Sequence, residues 1–326
     1  MRVDIIGAGS LGLLLAGRLI RGGASVRIWC RSEQQSRALT EDGLTISYED
    51  GRRPISAAGG SFSAEPVTGY AERQLEAPGD ITLITVKQTV LHQELPEILR
   101  PLEGKQLTVI GFQNGCGHLE LLQELLPESA IWAAVTTEAA KRKTLTEVIH
   151  AGAGEISIGK SSQSADGFKM EQQNSGPAAI ISFIEALNAA GFNASLSKEV
   201  DTIIYRKLMI NAVINPLTAL WRVRNGELLD SPGRVQLMKE LYTEAARTYE
   251  VCGIPAGHQL WETVQEVCRA TSGNISSMLA DVLAGRETEI RWINGSIVEM
   301  GRRQGVDAPL HRWICGLVEG MTVRER

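Results

Sequence analysis

The chain has 326 residues, above the usual single-domain range, so two domains are the first expectation. Hydrophobic residues at 43% and charged residues at 22% describe an ordinary globular protein, and a net charge of −5 gives no electrostatic case for nucleic acid or an anionic membrane as partner. The five cysteines (Cys30, Cys116, Cys252, Cys268 and Cys315) include no C-x-x-C pair, which argues against a zinc site or disulfide framework and for reduced thiols in the cytoplasm.

In chain order, Val3-Asp-Ile-Ile-Gly7 reads as a buried strand, and its early position leaves no room for a signal peptide. Residues 10–21 follow with helical periodicity (Leu11, Leu14, Leu15, Leu19), stopped by Gly22-Gly23. Arg18 interrupts the longest apolar stretch, so no segment reaches the ~18 residues of a membrane helix. Residues 25–30 are a second strand, and strand–helix–strand in so short a span is a βαβ unit with a right-handed crossover. The alternation continues with a strand over 81–86, a helix over 90–99, a strand over 107–110, a helix over 119–126 and a strand over 131–135. This pattern predicts a doubly wound parallel α/β sheet of Rossmann type. Residues 145–158 read as a hairpin at the sheet edge, 160–176 as a long polar loop, 178–190 as a helix and 192–196 as a short strand.

Beyond Lys198 only helical periods are visible. Ser231-Pro232 starts a helix whose buried face is Val235, Met238, Leu241, Ala245 and Tyr249, and further helices are predicted over 258–270, 275–284, 288–304 and 309–320. The division is therefore a nucleotide-binding domain over 1–197 and an all-α domain over 198–326.

Gly7-Ala-Gly-Ser-Leu-Gly12 matches G-x-G-x-x-G, a weak motif alone but specific when it follows a strand and opens a helix. Gly7 permits the tight turn, Gly9 lets backbone approach a pyrophosphate, and Gly12 lets helix pack on strand. Ser10 and Leu11 supply the first helical N–H groups, which face the phosphates at the positive end of the helix dipole. The second strand ends Trp29-Cys30-Arg31-Ser32, without the acid that usually grips the ribose of NAD. Arg31 is placed to pair with a 2′-phosphate, with Ser32 as a second donor, so NADP(H) is the expected cofactor. Lys87 and Asn114 end two further strands, where the ligand crevice of such a sheet lies, and are candidates to face nicotinamide and substrate.

Lys207, Asn211 and Asn215 recur at i, i+4 and i+8 among apolar neighbours, which aligns one ammonium and two carboxamides along one helix face. Such a stripe needs partners, and it suits a small oxygen-rich anion. The five histidines show no metal-ligand spacing, so no metal is expected.

Taken together, Arg206-Lys-Leu-x-x-Asn-x-x-Ile-Asn-Pro-Leu-Thr-Ala219, Asn225-Gly226, Asn274-Ile-Ser-Ser-Met-Leu-x-Asp281 and Thr288-Glu-Ile-x-x-Ile-Asn-Gly295 resemble the 2-dehydropantoate 2-reductase (ketopantoate reductase) family over nearly the whole chain. The resemblance implies reduction of ketopantoate to pantoate with NADPH, on the route to pantothenate and coenzyme A. It implies Lys207 as catalytic lysine and Glu289 as catalytic carboxylate. It further implies Asn211, Asn215, Asn274 and Ser277, with Lys87 and Asn114, as substrate contacts. The implied cofactor contacts are Gly7, Gly9, Ser10, Leu11, Gly12, Arg31, Lys87, Asn114 and Glu289. The sequence departs from better-known members at Gln88-Thr89, at Cys116 and at Arg291-Trp292.

The chemistry expected of these groups is hydride transfer to a 2-oxo acid, with Lys207 stabilising the carbonyl oxygen and delivering its proton. Desolvation or a nearby Lys87 lowers the pKa of such a lysine and Glu289 raises it, a balance that sequence leaves open. Two other readings stand beside this one. The first is a reductase of another 2-oxo acid on the same plan, and the second is a non-catalytic NADP(H) redox sensor. The partner set is a small-molecule substrate, with no nucleic acid or membrane and with a homodimer left open.

Overall fold

A computed structural model describes residues 1–162, 177–254 and 259–321. Most of the polar loop expected over 160–176, and His258, the first residue of the helix expected over 258–270, lie outside the described residues. The chain divides into two compact units. The first comprises Met1–Gln113, His118–Ser161 and residues 177–200; the second comprises Asn114–Gly117, Ser162 and the described residues from Asp201 onward.

The first unit contains β1 (Arg2–Ile6), α1 (Ser10–Arg21), β2 (Ser25–Cys30), α2 (Glu33–Asp42), β3 (Leu44–Tyr48), β4 (Ile55–Ala57), β5 (Ser63–Pro66), α3 (Tyr70–Glu76), β6 (Ile81–Ile84), α4 (Gln88–Gln93), α5 (Leu95–Leu99), β7 (Thr108–Gly111), α6 (His118–Leu125), β8 (Ala130–Thr136), β9 (Ala139–Arg142), β10 (Glu147–Gly152), β11 (Glu155–Gly159), α7 (Pro177–Ala189) and β12 (Asn193–Leu196). Eight strands form the main sheet in the order β12-β11-β8-β7-β6-β1-β2-β5. All neighbours are parallel except β8 and β11. This is the mixed α/β, parallel-dominated architecture that the alternation of elements predicts.

The segment over 145–158 corrects the sequence reading. It is not a hairpin, because its two strands enter different sheets. Glu147–Gly152 joins a second sheet of order β4-β3-β10-β9, whereas Glu155–Gly159 pairs with β8 in the main sheet. The chain turns between them at Gly154, where a Cβ would lie 2.4 Å from the Thr137 carbonyl carbon. The helix expected over 90–99 is likewise broken into α4 and α5. Pro96 has no N–H for the carbonyl four residues back and its ring clashes with that carbonyl, so the helix restarts after Glu94.

Between the sheets runs α1, which packs on strands of both. Leu13, Leu14, Leu15 and Leu19 are all buried in the core of this unit. Two buried polar clusters are hydrogen-bonded within it. Asp4, in the middle of β1, accepts from Arg27 Nε at 2.7 Å, from Trp29 Nε1 at 2.8 Å and from Gln74 Nε2 at 2.9 Å. A carboxylate in a central strand is tolerable only with such partners. His150, on β10, bonds Glu138 at 2.6 Å and Arg18 of α1 at 3.1 Å, tying the second sheet to the helix.

The second unit contains α8 (Val200–Trp221), α9 (Pro232–Val251), α10 (Leu260–Ala270), α11 (Ser277–Leu283), α12 (Ile290–Arg303) and α13 (Pro309–Gly320). Its core gathers Leu208, Met209, Val213 and Leu217 of α8 with Met238, Leu241 and Tyr249 of α9, Val264 of α10, and Ile293 and Ile297 of α12. Among the described residues, no helix is long and apolar enough to cross a membrane.

Candidate active site

In the first unit, three expected positions converge because β6, β1 and β2 are consecutive in the sheet and run parallel. The end of β1 carries the glycine turn. Gly7 adopts φ +113°, a region glycine enters without steric cost, and a Cβ there would lie 2.8 Å from Val86 Cγ1. A Cβ on Gly12 would lie 1.9 Å from the Gly7 carbonyl oxygen, so the helix packs on the turn only without a side chain. Around Gly9 the opposite holds: nothing lies within 4 Å of where its Cβ would be. Gly9 is the N-cap of α1, and no side chain caps the helix there. Open space beside a helix start that no side chain caps suits an anionic group. Ser10 is half-buried and its hydroxyl accepts from Arg142 N at 3.0 Å, while Leu11 packs against the core. Thr85 is a supporting residue that sequence reasoning missed; its hydroxyl bonds the Gly7 carbonyl at 2.8 Å and the Ile6 carbonyl at 3.1 Å.

Arg31 stands exposed at the end of β2, and its Nη2 contacts Glu94 Oε1 at 2.5 Å. Ser32 uses its hydroxyl oxygen to cap α2, accepting from Gln35 N. Lys87 is half-buried between β6 and α4 and serves as the N-cap residue of α4. Its strand is held by Gln113, whose Nε2 donates to the carbonyls of Ile84 and Val86 at 2.9 Å each. Gln88 approaches the buried His118 (Nε2 to Nδ1, 3.4 Å), whose pKa burial, with a smaller contribution from His92, pushes down to about 3.

In the second unit, α8 carries Lys207, Asn211 and Asn215 on one face as the spacing requires. Lys207 and Asn211 are half-buried and Asn215 is buried. Burial pushes the Lys207 ammonium down to about 8, against an opposing pull from Glu289. Desolvation therefore wins the balance that sequence left open. Glu289 is itself buried at the N-cap position of α12, where the helix dipole favours a carboxylate.

The remaining substrate candidates are linked through residues the sequence did not single out. The Thr218 hydroxyl donates to the Asn215 carbonyl at 2.8 Å and shares a 2.7 Å hydrogen bond with the Ser276 hydroxyl. Ser276 caps α11, accepting from Leu279 N at 3.0 Å, and Ser277 is the exposed first residue of that helix. Asn274 is exposed on the preceding loop, its carbonyl accepting from Asn225 N at 3.0 Å. Asn225 is buried and donates its carboxamide to Thr271 Oγ1 at 2.8 Å. The Asn225-Gly226 pair thus pins the loop that presents Asn274; a Cβ on Gly226 would lie 2.6 Å from that of Ser272. Asn114 is half-buried and begins the segment Asn114–Gly117 that packs within this unit. There Cys116 N donates to the Trp292 carbonyl at 3.1 Å, and a Cβ on Gly115 would lie 2.1 Å from the same oxygen.

The structure thus brings Lys207 into electrostatic contact with Glu289 and links Asn215 to the start of α11. Gly7, Gly9, Ser10, Leu11, Gly12, Arg31 and Lys87 belong to the other unit. An ammonium lowered by burial to about 8, next to a carboxylate and on a face of carboxamides, can hold an oxyanion and give it a proton.

Comparison with known proteins adds an independent line. The family model described as "Ketopantoate reductase PanE/ApbA" matches residues 3–163, and "Ketopantoate reductase PanE/ApbA C terminal" matches residues 199–322. The 2-dehydropantoate 2-reductase of Bacillus subtilis is 32% identical over 322 residues, covering 98% of this chain and 97% of that protein. That of Halobacterium salinarum is 28% identical over 318 residues, covering 98% of each chain. Among solved structures, the probable 2-dehydropantoate 2-reductase of Bacillus subtilis superposes with TM-score 0.78 at 28% identity, covering 98% of this chain and all of that one. D-mandelate dehydrogenase, solved with NADH and anilino(oxo)acetate, shares the fold with TM-score 0.83 at 22% identity, over 99% of this chain and 98% of its own.

Proposed function

The chain belongs to the ketopantoate reductase family, and on that premise we propose that it reduces 2-dehydropantoate to pantoate with NADPH, as a step toward pantothenate and coenzyme A. The observation that carries this reading is Lys207: a lysine on α8, lowered to about 8 by burial, with Glu289 beside it.

NADPH, when bound, supplies the hydride. The chain's own residues do the rest. The glycine turn and the start of α1 hold the pyrophosphate, through the backbone of Gly9, Ser10 and Leu11. Arg31 pairs with the 2′-phosphate. Lys87 and Asn114 position nicotinamide and substrate. Asn211, Asn215, Asn274 and Ser277 hold the carboxylate and hydroxyl of a small 2-oxo acid. Lys207 places its ammonium against the carbonyl oxygen, where it stabilises the growing negative charge and then transfers a proton to it. Glu289 orients Lys207 and, by raising its pKa against burial, keeps it mostly protonated near neutral pH.

The direct test is oxidation of NADPH by the purified protein with ketopantoate, beside NADH and a panel of other 2-oxo acids. Turnover confined to ketopantoate and NADPH is the expected result. Turnover of another acid would reassign the substrate while keeping the mechanism, a second reading favoured by the shared fold of D-mandelate dehydrogenase. Tight NADPH binding without turnover of any acid would favour the sensor reading instead.

A further inference from the structure

The second strand of a dinucleotide-binding sheet usually ends in an acid that accepts hydrogen bonds from the adenosine ribose. Here β2 ends at Cys30 and is followed by Arg31, with no acid before Glu33, which is paired on its own helix with Arg37. A carboxylate nevertheless reaches this place from elsewhere. Glu94 stands at the break between α4 and α5, and its Oε1 lies 2.5 Å from Arg31 Nη2. The break is imposed by Pro96, so the position of Glu94 is set by the backbone and not by a freely moving loop. The two residues come from elements that follow β2 and β6, and β1, with its glycine turn, is the strand between those two.

We infer that Glu94 is a cofactor-selectivity residue: it holds the Arg31 guanidinium when no 2′-phosphate is present, and it moderates the preference for NADPH over NADH. This rests on the reading that Arg31 meets the 2′-phosphate. The charges give the inference its sign. A 2′-phosphate must take the guanidinium from the Glu94 carboxylate, and it then sits near a like charge. NADH brings only hydroxyls, which a carboxylate can accept from while it keeps Arg31. Glu94 therefore opposes NADPH and is neutral or favourable to NADH. Both side chains remain substantially exposed, so the effect is modest.

The test is the dissociation constant of NADPH and of NADH, by titration of the full chain without substrate, for the natural sequence, Glu94→Gln, Glu94→Ala and Arg31→Ala. Glu94→Gln and Glu94→Ala should each tighten NADPH by about two- to five-fold while leaving NADH unchanged or weaker. Equal changes for both cofactors, no change for either, or weaker NADPH binding would overturn the inference. Arg31→Ala separates the two levels. If it weakens NADPH selectively while the Glu94 variants leave the ratio unmoved, the inference alone falls. If it affects both cofactors equally, the role of Arg31 in the proposed function falls, and the inference with it.

Discussion

Asn294 answers the backbone vacancy that Pro216 creates. Pro216 lies inside α8 and has no N–H to give the Ala212 carbonyl, one turn earlier. The Asn294 carboxamide, from α12 and fully buried, donates to that carbonyl at 2.8 Å. Its Nδ2 also meets His311 Nδ1 at 3.0 Å, and His311 Nε2 meets the Leu241 carbonyl at 3.0 Å. One side chain thereby fixes α8, which carries Lys207, against α12, which begins after Glu289, and reaches α13 and α9 as well. Replacing Asn294 with Leu removes both donors and strands two buried acceptors. We expect a loss of about 2–4 kcal/mol in unfolding free energy, from the cost of unsatisfied buried groups. Urea denaturation should show it as a lower midpoint; an unchanged midpoint would remove the assigned role.

The same network dictates a protonation state. With Asn294 donating to Nδ1, the His311 ring must be neutral and carry its proton on Nε2, which donates to Leu241. Burial is the dominant cause that takes its pKa down from 6.5 to about 4. The unfolded chain binds that proton at higher pH than the folded chain does. The stability due to neutral His311 is thus fully present above about 6.5 and is lost as pH falls through about 4. It amounts to about 3 kcal/mol. His118, in the other unit and lowered to about 3, acts in the same direction. In an NMR titration, both rings should stay neutral at about pH 5. A ring that titrates near its ordinary value would show that its burial or its partner is misassigned.

The proton-donor role proposed for Lys207 predicts an alkaline limb of activity. As proton donor it must be charged, and its pKa is about 8, so kcat/KM should fall about tenfold per pH unit above that value. Lys207→Ala should lower kcat by roughly 10²–10⁴. Glu289→Gln tests the pairing more sharply. The Glu289 charge is what raises the Lys207 pKa against burial, so its removal should move the alkaline limb to lower pH. A limb that stays in place would mean that Glu289 does not act on Lys207.

The parts of this fold that can be read in the sequence are those whose residues carry their own periodicity. β1, β2, β6, β7 and β8 are short apolar runs, α1 is an apolar run buried on every side between the sheets, and α9 has one buried face. The stretch between β2 and β6 yields nothing of this kind. No residue of β4 or β5 is buried and β3 buries only Leu44 and Ile46, while α2 buries Gln35 and Ser36 beside Leu39. The alternation in β10 and β11 is real, but which sheet receives a strand is a tertiary outcome that alternation does not encode. The stripe of Lys207, Asn211 and Asn215 is legible because helical spacing alone aligns it. Two adjacent serines are not separable that way: Ser276 takes the cap and the bond to Thr218, while Ser277 is left exposed. Pro216 signals a carbonyl in need of a donor, yet nothing local says that Asn294, far along the chain, supplies it.

The glycine turn offers a pair of substitutions with opposite expectations. A methyl group on Gly12 would meet the Gly7 carbonyl at 1.9 Å, a backbone contact that only a shift of α1 can relieve. Gly12→Ala should therefore destabilise the apo-protein by about 2 kcal/mol or more, in the range of overpacked cores. A methyl group on Gly9 meets nothing within 4 Å, and Gly9 already has an ordinary extended backbone at φ −83°. Gly9→Ala should leave thermal unfolding of the apo-protein within about 1 kcal/mol of the natural chain. It nevertheless occupies the space assigned to the pyrophosphate, so NADPH binding should weaken by about tenfold or more. Thermal unfolding and NADPH titration on the two variants read these effects separately. If Gly9→Ala binds NADPH as tightly as the natural sequence, the phosphates do not lie over this turn, and the cofactor site must be sought elsewhere.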